Sequence, residues 1–288
     1  MTAQTPGHRL ILEPARLRGN DPWTRILLSK VPEVTLLFWV VNILSTTVGE
    51  TTADYLSGSL GLRLSATTAV MSVVFVAALI CQLSIRRHVP AVYWLTVVLA
   101  SAVGTLFCDN LVDNLGISLW TSTAVFALCL AVALAVWYRS ERTLSIHTVV
   151  TRRREAFYWV TILCAFALGT SLSALISEGL ALGYGAVALI FGGIIVLIGV
   201  AFYGFKINAV LAFWAAYVMT RPFGDSVGDF FTAAPKHGGL GLGTATSNLF
   251  LAVIVAVVAW FSFRSGADRA PGLPGVTRSA QGARHPGY

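Results

Sequence analysis

Residues 38–54 read Phe38-Trp39-Val40-Val41-Asn42-Ile43-Leu44-Ser45-Thr46-Thr47-Val48-Gly49-Glu50-Thr51-Thr52-Ala53-Asp54, and the chain writes a version of this stretch four times. An aromatic pair opens each copy: Phe38-Trp39, Tyr93-Trp94, Tyr158-Trp159 and Phe213-Trp214. Ten residues after each tryptophan stands a glycine, Gly49, Gly104, Gly169 or Gly224. The next position holds Glu50, Thr105, Thr170 and Asp225, and four residues further on come Asp54, Asp109, Ala174 and Asp229. The tryptophans are 55, 65 and 55 residues apart (39 to 94, 94 to 159, 159 to 214). Recurrence at such a period is the mark of a repeat architecture and is read before anything else.

Composition sets the class. The 288 residues are 56% hydrophobic and 11% charged, with a mean hydropathy of +0.75. Soluble domains carry about 25% charged residues, so this is the balance of a membrane protein. Cys81, Cys108, Cys129 and Cys164 lie inside apolar runs without paired spacing. They read as small buried hydrophobes, not as a disulfide framework or a zinc site. The polar, basic lead-in before residue 34 does not resemble a secretory signal.

Eight apolar stretches follow, at roughly 34–56, 63–85, 91–113, 117–138, 156–178, 182–203, 208–231 and 243–263. Each approaches the ~20 residues needed to cross a ~30 Å hydrocarbon layer. Helix is the economical conformation there, because lipid offers the backbone no hydrogen-bond partner. The connections alternate between short Gly-rich turns and basic segments (Arg86-Arg87, Arg139 to Arg154, Lys206, Arg264 onward). Of the twenty Lys and Arg residues, all but Arg63, Arg221 and Lys236 fall on one side if the N-terminus is inside. The net charge of +7 therefore reflects topology, with both termini cytoplasmic, and does not call for nucleic acid.

The expected fold is thus all-α: a polytopic bundle of eight transmembrane helices in four tandem, parallel two-helix repeats. Residues 1–30 form a cytoplasmic lead-in, 31–266 the membrane domain (repeats about 31–88, 89–140, 153–206 and 207–266), and 267–288 a disordered cytoplasmic tail. The longer middle spacing falls in the loop around Arg142 to Arg153. The tryptophans sit where an interfacial belt is the ordinary explanation, with packing between repeats as a further reason for their recurrence.

From about residue 30 to 263 the pattern resembles a bacterial family of membrane proteins built from four tandem two-helix repeats, each with a characteristic tryptophan. Trp39, Trp94, Trp159 and Trp214 carry the match, together with Lys30-Val31-Pro32-Glu33-Val34-Thr35 and Thr46-Thr47-Val48-Gly49-Glu50-Thr51. The resemblance implies eight helices in four repeats and brings no activity with it.

Function is therefore read from the acids. Of thirteen Asp and Glu, seven belong to the repeats: Glu50, Asp54, Asp109, Asp113, Glu178, Asp225 and Asp229. They lie in the outer half of the first helix of each repeat. The i, i+4 spacing puts Glu50 and Asp54 on one helix face, and likewise Asp225 and Asp229. An acid inside a span is costly and points to a functional site. Glu50 and Asp225 are the deepest and follow a glycine. Asp113 and Glu178 read as solvated helix ends. Arg221 is four residues before Asp225 and can pair with it.

The expected site is Glu50, Asp54, Asp109, Asp225 and Asp229, lining a polar region off-axis between the first and fourth repeats. The chain is then expected to be a secondary transporter or channel of a bacterial inner membrane, for a small cation or proton-coupled, using these carboxylates. Oxygen-only ligands favour hard ions, without naming a metal. No cofactor and no catalytic residue is expected: HExxH and P-loop motifs are missing. The alternative is a membrane scaffold or sensor in which the acids only hold helices together.

Overall fold

The computed structural model describes residues 30–59, 63–85, 88–235 and 239–243, and beyond them residues 249, 252, 256 and 260. The expected lead-in and tail, and most of the eighth expected span, lie outside the described residues. Among the described residues there are seven α-helices and no strand: α1 Leu36–Asp54, α2 Leu64–Ser84, α3 Pro90–Asp109, α4 Leu119–Glu141, α5 Arg152–Ala174, α6 Tyr184–Phe205 and α7 Ala209–Thr232.

Their starts are written locally. Thr35, Ser118, Thr151 and Asn208 turn side-chain oxygens back onto the free N–H groups that open α1, α4, α5 and α7. Pro90 begins α3, where its missing N–H costs nothing. Three first helices widen at their ends into a π turn: Tyr55–Ser59 after α1, Asn110–Asn114 after α3 and Leu175–Gly179 after α5. In the fourth repeat, α7 runs to Thr232 without one.

The first helices of the four repeats close into a ring, with α1 packed on α3, α3 on α5, α5 on α7 and α7 back on α1. The second helices stand outside it, and each packs mainly on the first helix of the following repeat: α2 on α3, α4 on α5, α6 on α7. A single repeat therefore does not bury its own inner face.

Glycine sets the approach within the ring. A Cβ on Gly49 would strike Ser101, one on Gly104 would meet Phe166, one on Gly169 would strike Arg221, and one on Gly224 would strike Thr46. Each glycine of the repeat thus touches the residue three before the next repeat's glycine, four times around the ring. Only a missing side chain permits backbones this close.

Beside an apolar and aromatic core, the interior holds many buried polar side chains. The inner faces carry Asn42, Ser45, Thr46, Thr47, Ser101, Thr105 and Thr170, all buried. The outer helices expose Val70, Val73, Leu128, Val132, Leu189 and Leu197. Apolar surface of this extent on a monomer marks a face that meets lipid or partner. Among the described residues, five helical segments are long and apolar enough to cross a membrane: Leu64–Ser84, Pro90–Asn114, Leu119–Glu141, Arg152–Gly179 and Tyr184–Phe205. The first and seventh expected spans, α1 and α7, are helices but fall short of that apolarity, because their inward faces hold the charged and hydroxyl residues.

At the starts of the ring helices the aromatic pairs form a collar. Phe38 meets the Trp94 ring at 5.6 Å, Tyr93 meets Trp159 at 5.5 Å, Tyr158 meets Trp214 at 6.2 Å, and Phe213 meets Trp39 at 5.6 Å. These tryptophans are therefore packed between repeats: Trp94, Trp159 and Trp214 are buried, which corrects the expectation of an interfacial belt. Beneath the collar, the loop between α4 and α5 tucks Ile146 and Val149 inside and gives the Leu144 carbonyl to Trp214 Nε1 at 3.0 Å. Lys30 Nζ pairs with buried Glu155 at 2.6 Å, and Gln82 donates to the same carboxylate at 3.0 Å.

Candidate functional site

In the second half of each ring helix, the four residues that follow the repeat glycines converge. Glu50, Thr105, Thr170 and Asp225 point inward from α1, α3, α5 and α7. A fully buried guanidinium, that of Arg221, stands among them. Its Nη2 donates to Glu50 Oε2, to Thr105 Oγ1 and, at 2.8 Å, to Thr170 Oγ1. Its Nη1 donates to the Thr46 carbonyl at 2.9 Å. Asp225 Oδ1 lies 3.3 Å away. Thr105 also donates to Glu50 Oε2. One side chain from α7 thus binds α1, α3 and α5 at once, and its stem fits because residue 169 is glycine.

Above this floor lies a cavity of about 450 Å³, lined by Glu50, Asp54, Asp109, Asp113, Glu178, Asp225 and Asp229. All seven carboxylates of the repeats meet there. Thr170, Ser57, Ser177, Leu64 and Tyr184 complete much of the wall. The π turns form the rim and carry Asp113 and Glu178, both exposed. Wide turns of this kind often accompany functional sites.

The five expected site residues all line this cavity, in two different situations. Glu50 and Asp225 are buried at the floor and are held by Arg221. Asp54, Asp109 and Asp229 are half-buried, and among the described residues no side-chain hydrogen bond or salt bridge engages them. The residues freest to meet a ligand are therefore the second set. Oxygens of Glu50, Asp54 and Asp229 lie within 4.8 Å of one another and could share a metal ion. That group belongs to α1 and α7, the first and fourth repeats, with Asp109 of α3 across the cavity.

Among the described residues, the Ser and Thr side chains near the starts of α2 and α4 bond neighbouring helices and not the acids. Thr123 and Ser122 bond Ser171 across the α4–α5 contact at 2.9 and 3.0 Å, and Asn110 donates to Thr68 across α2–α3. Cys108 faces Ser122 at 3.9 Å and does not line the cavity. The sequence reading missed Arg221 as the centre and Thr105 and Thr170 as its acceptors. The signal was present: Arg221 is the one basic residue in the interior of an expected span, and both threonines occupy the column of Glu50 and Asp225.

The family described as Repeat of Unknown Function (DUF347) matches this chain four times, at residues 37–88, 92–143, 157–208 and 212–268. The chain belongs to this family. No curated protein and no solved structure matches it. Each DUF347 repeat gives the ring one helix, one collar aromatic pair, one close-packing glycine and one residue at the floor. The repeats differ in what that last residue is.

Proposed function

We propose that this DUF347 chain is a cation transporter or channel, proton-coupled or not, without enzymatic activity. In this reading it crosses a bacterial inner membrane eight times and keeps both termini in the cytoplasm. The observation that carries the reading is the gathering of all seven repeat carboxylates around one cavity that ends at a sealed floor. Acids at membrane depth are costly and gather where an ion or proton is handled. The basic loops follow the collar ends of the helices, so the positive-inside rule puts the collar toward the cytoplasm and the cavity mouth outside. A cavity open at one end and closed at the other suits a carrier caught facing outward, in which parallel repeats shift around a site near the midplane.

The test is cation and proton flux in proteoliposomes, comparing wild type with an Asp54→Asn/Asp229→Asn double variant. These two acids are chosen over Glu50 and Asp225 because no hydrogen bond of the fold depends on them. Flux that disappears in the folded double variant supports the site. A wild type that moves no cation and no proton removes the reading. The network around Arg221 favours the scaffold reading for Glu50 and Asp225, whose charges already serve helix packing. That reading extends to the whole chain only if Asn at positions 54 and 229 changes nothing.

A further inference from the structure

The carboxylates of the cavity stand on three levels. Glu50 and Asp225 form the floor; Asp54, Asp109 and Asp229 stand four residues further along their helices; Asp113 and Glu178 form the rim. Four helical residues rise about 6 Å. The lowest level already holds a cation, the Arg221 guanidinium. The two levels above hold none: among the described residues no basic side chain pairs with their five acids. At the floor, Asp225 Oδ1 is buried and, among the described residues, accepts no hydrogen bond and has Arg221, at 3.3 Å, as its one basic neighbour.

We propose that the cavity binds a linear diamine or polyamine whose ammonium groups occupy these levels in series above Arg221. The inference rests on the cation-transport reading and names its substrate class. Three features distinguish this ligand from a bare metal ion. First, the volume of about 450 Å³ is that of a small-molecule pocket, for which ~300–1,000 Å³ is usual; an ion needs only oxygens at about 2.0–2.6 Å. Second, the group close enough to share a metal ion, Glu50, Asp54 and Asp229, leaves Asp109, Asp113 and Glu178 unanswered, whereas amino groups separated by three or four methylenes match the rise from the middle level to the rim. Third, Leu64, Ala174 and the Tyr184 ring lie in the same wall. They offer apolar surface to the methylenes and an aromatic face to an ammonium group.

The full chain in nanodiscs of uncharged lipid is titrated calorimetrically with n-butylamine, 1,4-diaminobutane, spermidine, MgCl₂ and MnCl₂. The expected result is that diaminobutane binds at least about tenfold more tightly than butylamine, since its second ammonium meets the rim acids, and that spermidine binds at least as tightly as diaminobutane. An Asp113→Asn/Glu178→Gln variant, altered only at the exposed rim, is expected to bring diaminobutane down to the affinity of butylamine while leaving butylamine binding unchanged. Equal affinity for butylamine and diaminobutane overturns the proposal. So does saturable metal binding that no amine displaces; persisting metal flux would then leave the transport reading intact. Absence of binding by amine and metal alike, with no flux of either, overturns both.

Discussion

The two ends of the ring are made from the same repeat and have opposite characters. At the collar end all four copies keep the aromatic pair, so each contact is repeated four times and the end closes on itself. At the other end all four copies keep the glycine, while the residue after it is Glu50, Thr105, Thr170 or Asp225. Shape is repeated at both ends; chemistry is repeated only at the collar. A ring of equivalent helices becomes a directional site when one layer stays uniform and another diverges. Phe166 and Arg221 make the same point, since they hold equivalent positions with Thr46 and Ser101 yet only Arg221 crosses to the other three ring helices.

The largest effect is expected where both ends depend on close approach. Gly169→Leu would drive a side chain into the Arg221 stem and Pro222, and no monodisperse protein is expected on size exclusion. Gly58→Ala, which meets nothing within 4 Å, is expected to elute as wild type. Next, Arg221→Met strands buried Glu50 beside Asp225. Breaking a buried pair in this way costs about 3–5 kcal/mol, read as a large fall in the thermal midpoint. Adding Glu50→Gln and Asp225→Asn is expected to recover much of it. If the triple variant is no better than Arg221→Met, the charge explanation is wrong.

At the collar end, Lys30→Met leaves Glu155 with the Gln82 amide as a remaining donor. A loss of about 3 kcal/mol, the low end of the same range, is expected by the same melt. Tyr158→Phe removes the 2.5 Å hydrogen bond between the Tyr93 and Tyr158 hydroxyls and is expected to cost about 0.5–1.5 kcal/mol. Smallest for stability is Asp54→Asn/Asp229→Asn, expected within about 0.5 kcal/mol of wild type because no pairing is lost. Its flux, by contrast, is expected to vanish. A double variant that unfolds would move the second acidic level to the structural side of the comparison.

The helices themselves were legible because apolar runs and capping residues are local. The expected span at 63–85 is α2 at Leu64–Ser84, and that at 208–231 is α7 at Ala209–Thr232. The gathering of the acids was legible from their shared column. Which helix packs on which was not. A period says which residues are equivalent, and nothing in it tells α2 to lie on α3 rather than on α1. For the same reason the sequence marked Glu50 and Asp225 as the deepest acids without showing what holds them, although the same glycine spacing brings Arg221 onto them. The reach of a side chain across a ring becomes visible only when the ring exists.

That closure has a consequence for the order in which the protein is made. The Glu50–Arg221 pair joins residues 171 positions apart, across the seam where the last repeat meets the first. At synthesis rates of about 5–20 residues per second, Glu50 precedes its counter-ion by roughly 10–30 s. Throughout that interval the nascent chain carries a carboxylate with no permanent partner, and α1 lacks the neighbour that seals its inner face. A ribosome stalled after the third repeat leaves an unfinished ring with an uncompensated acid, a recognisable defect for membrane quality control. Arrival of Arg221 is the chemical event that ends it.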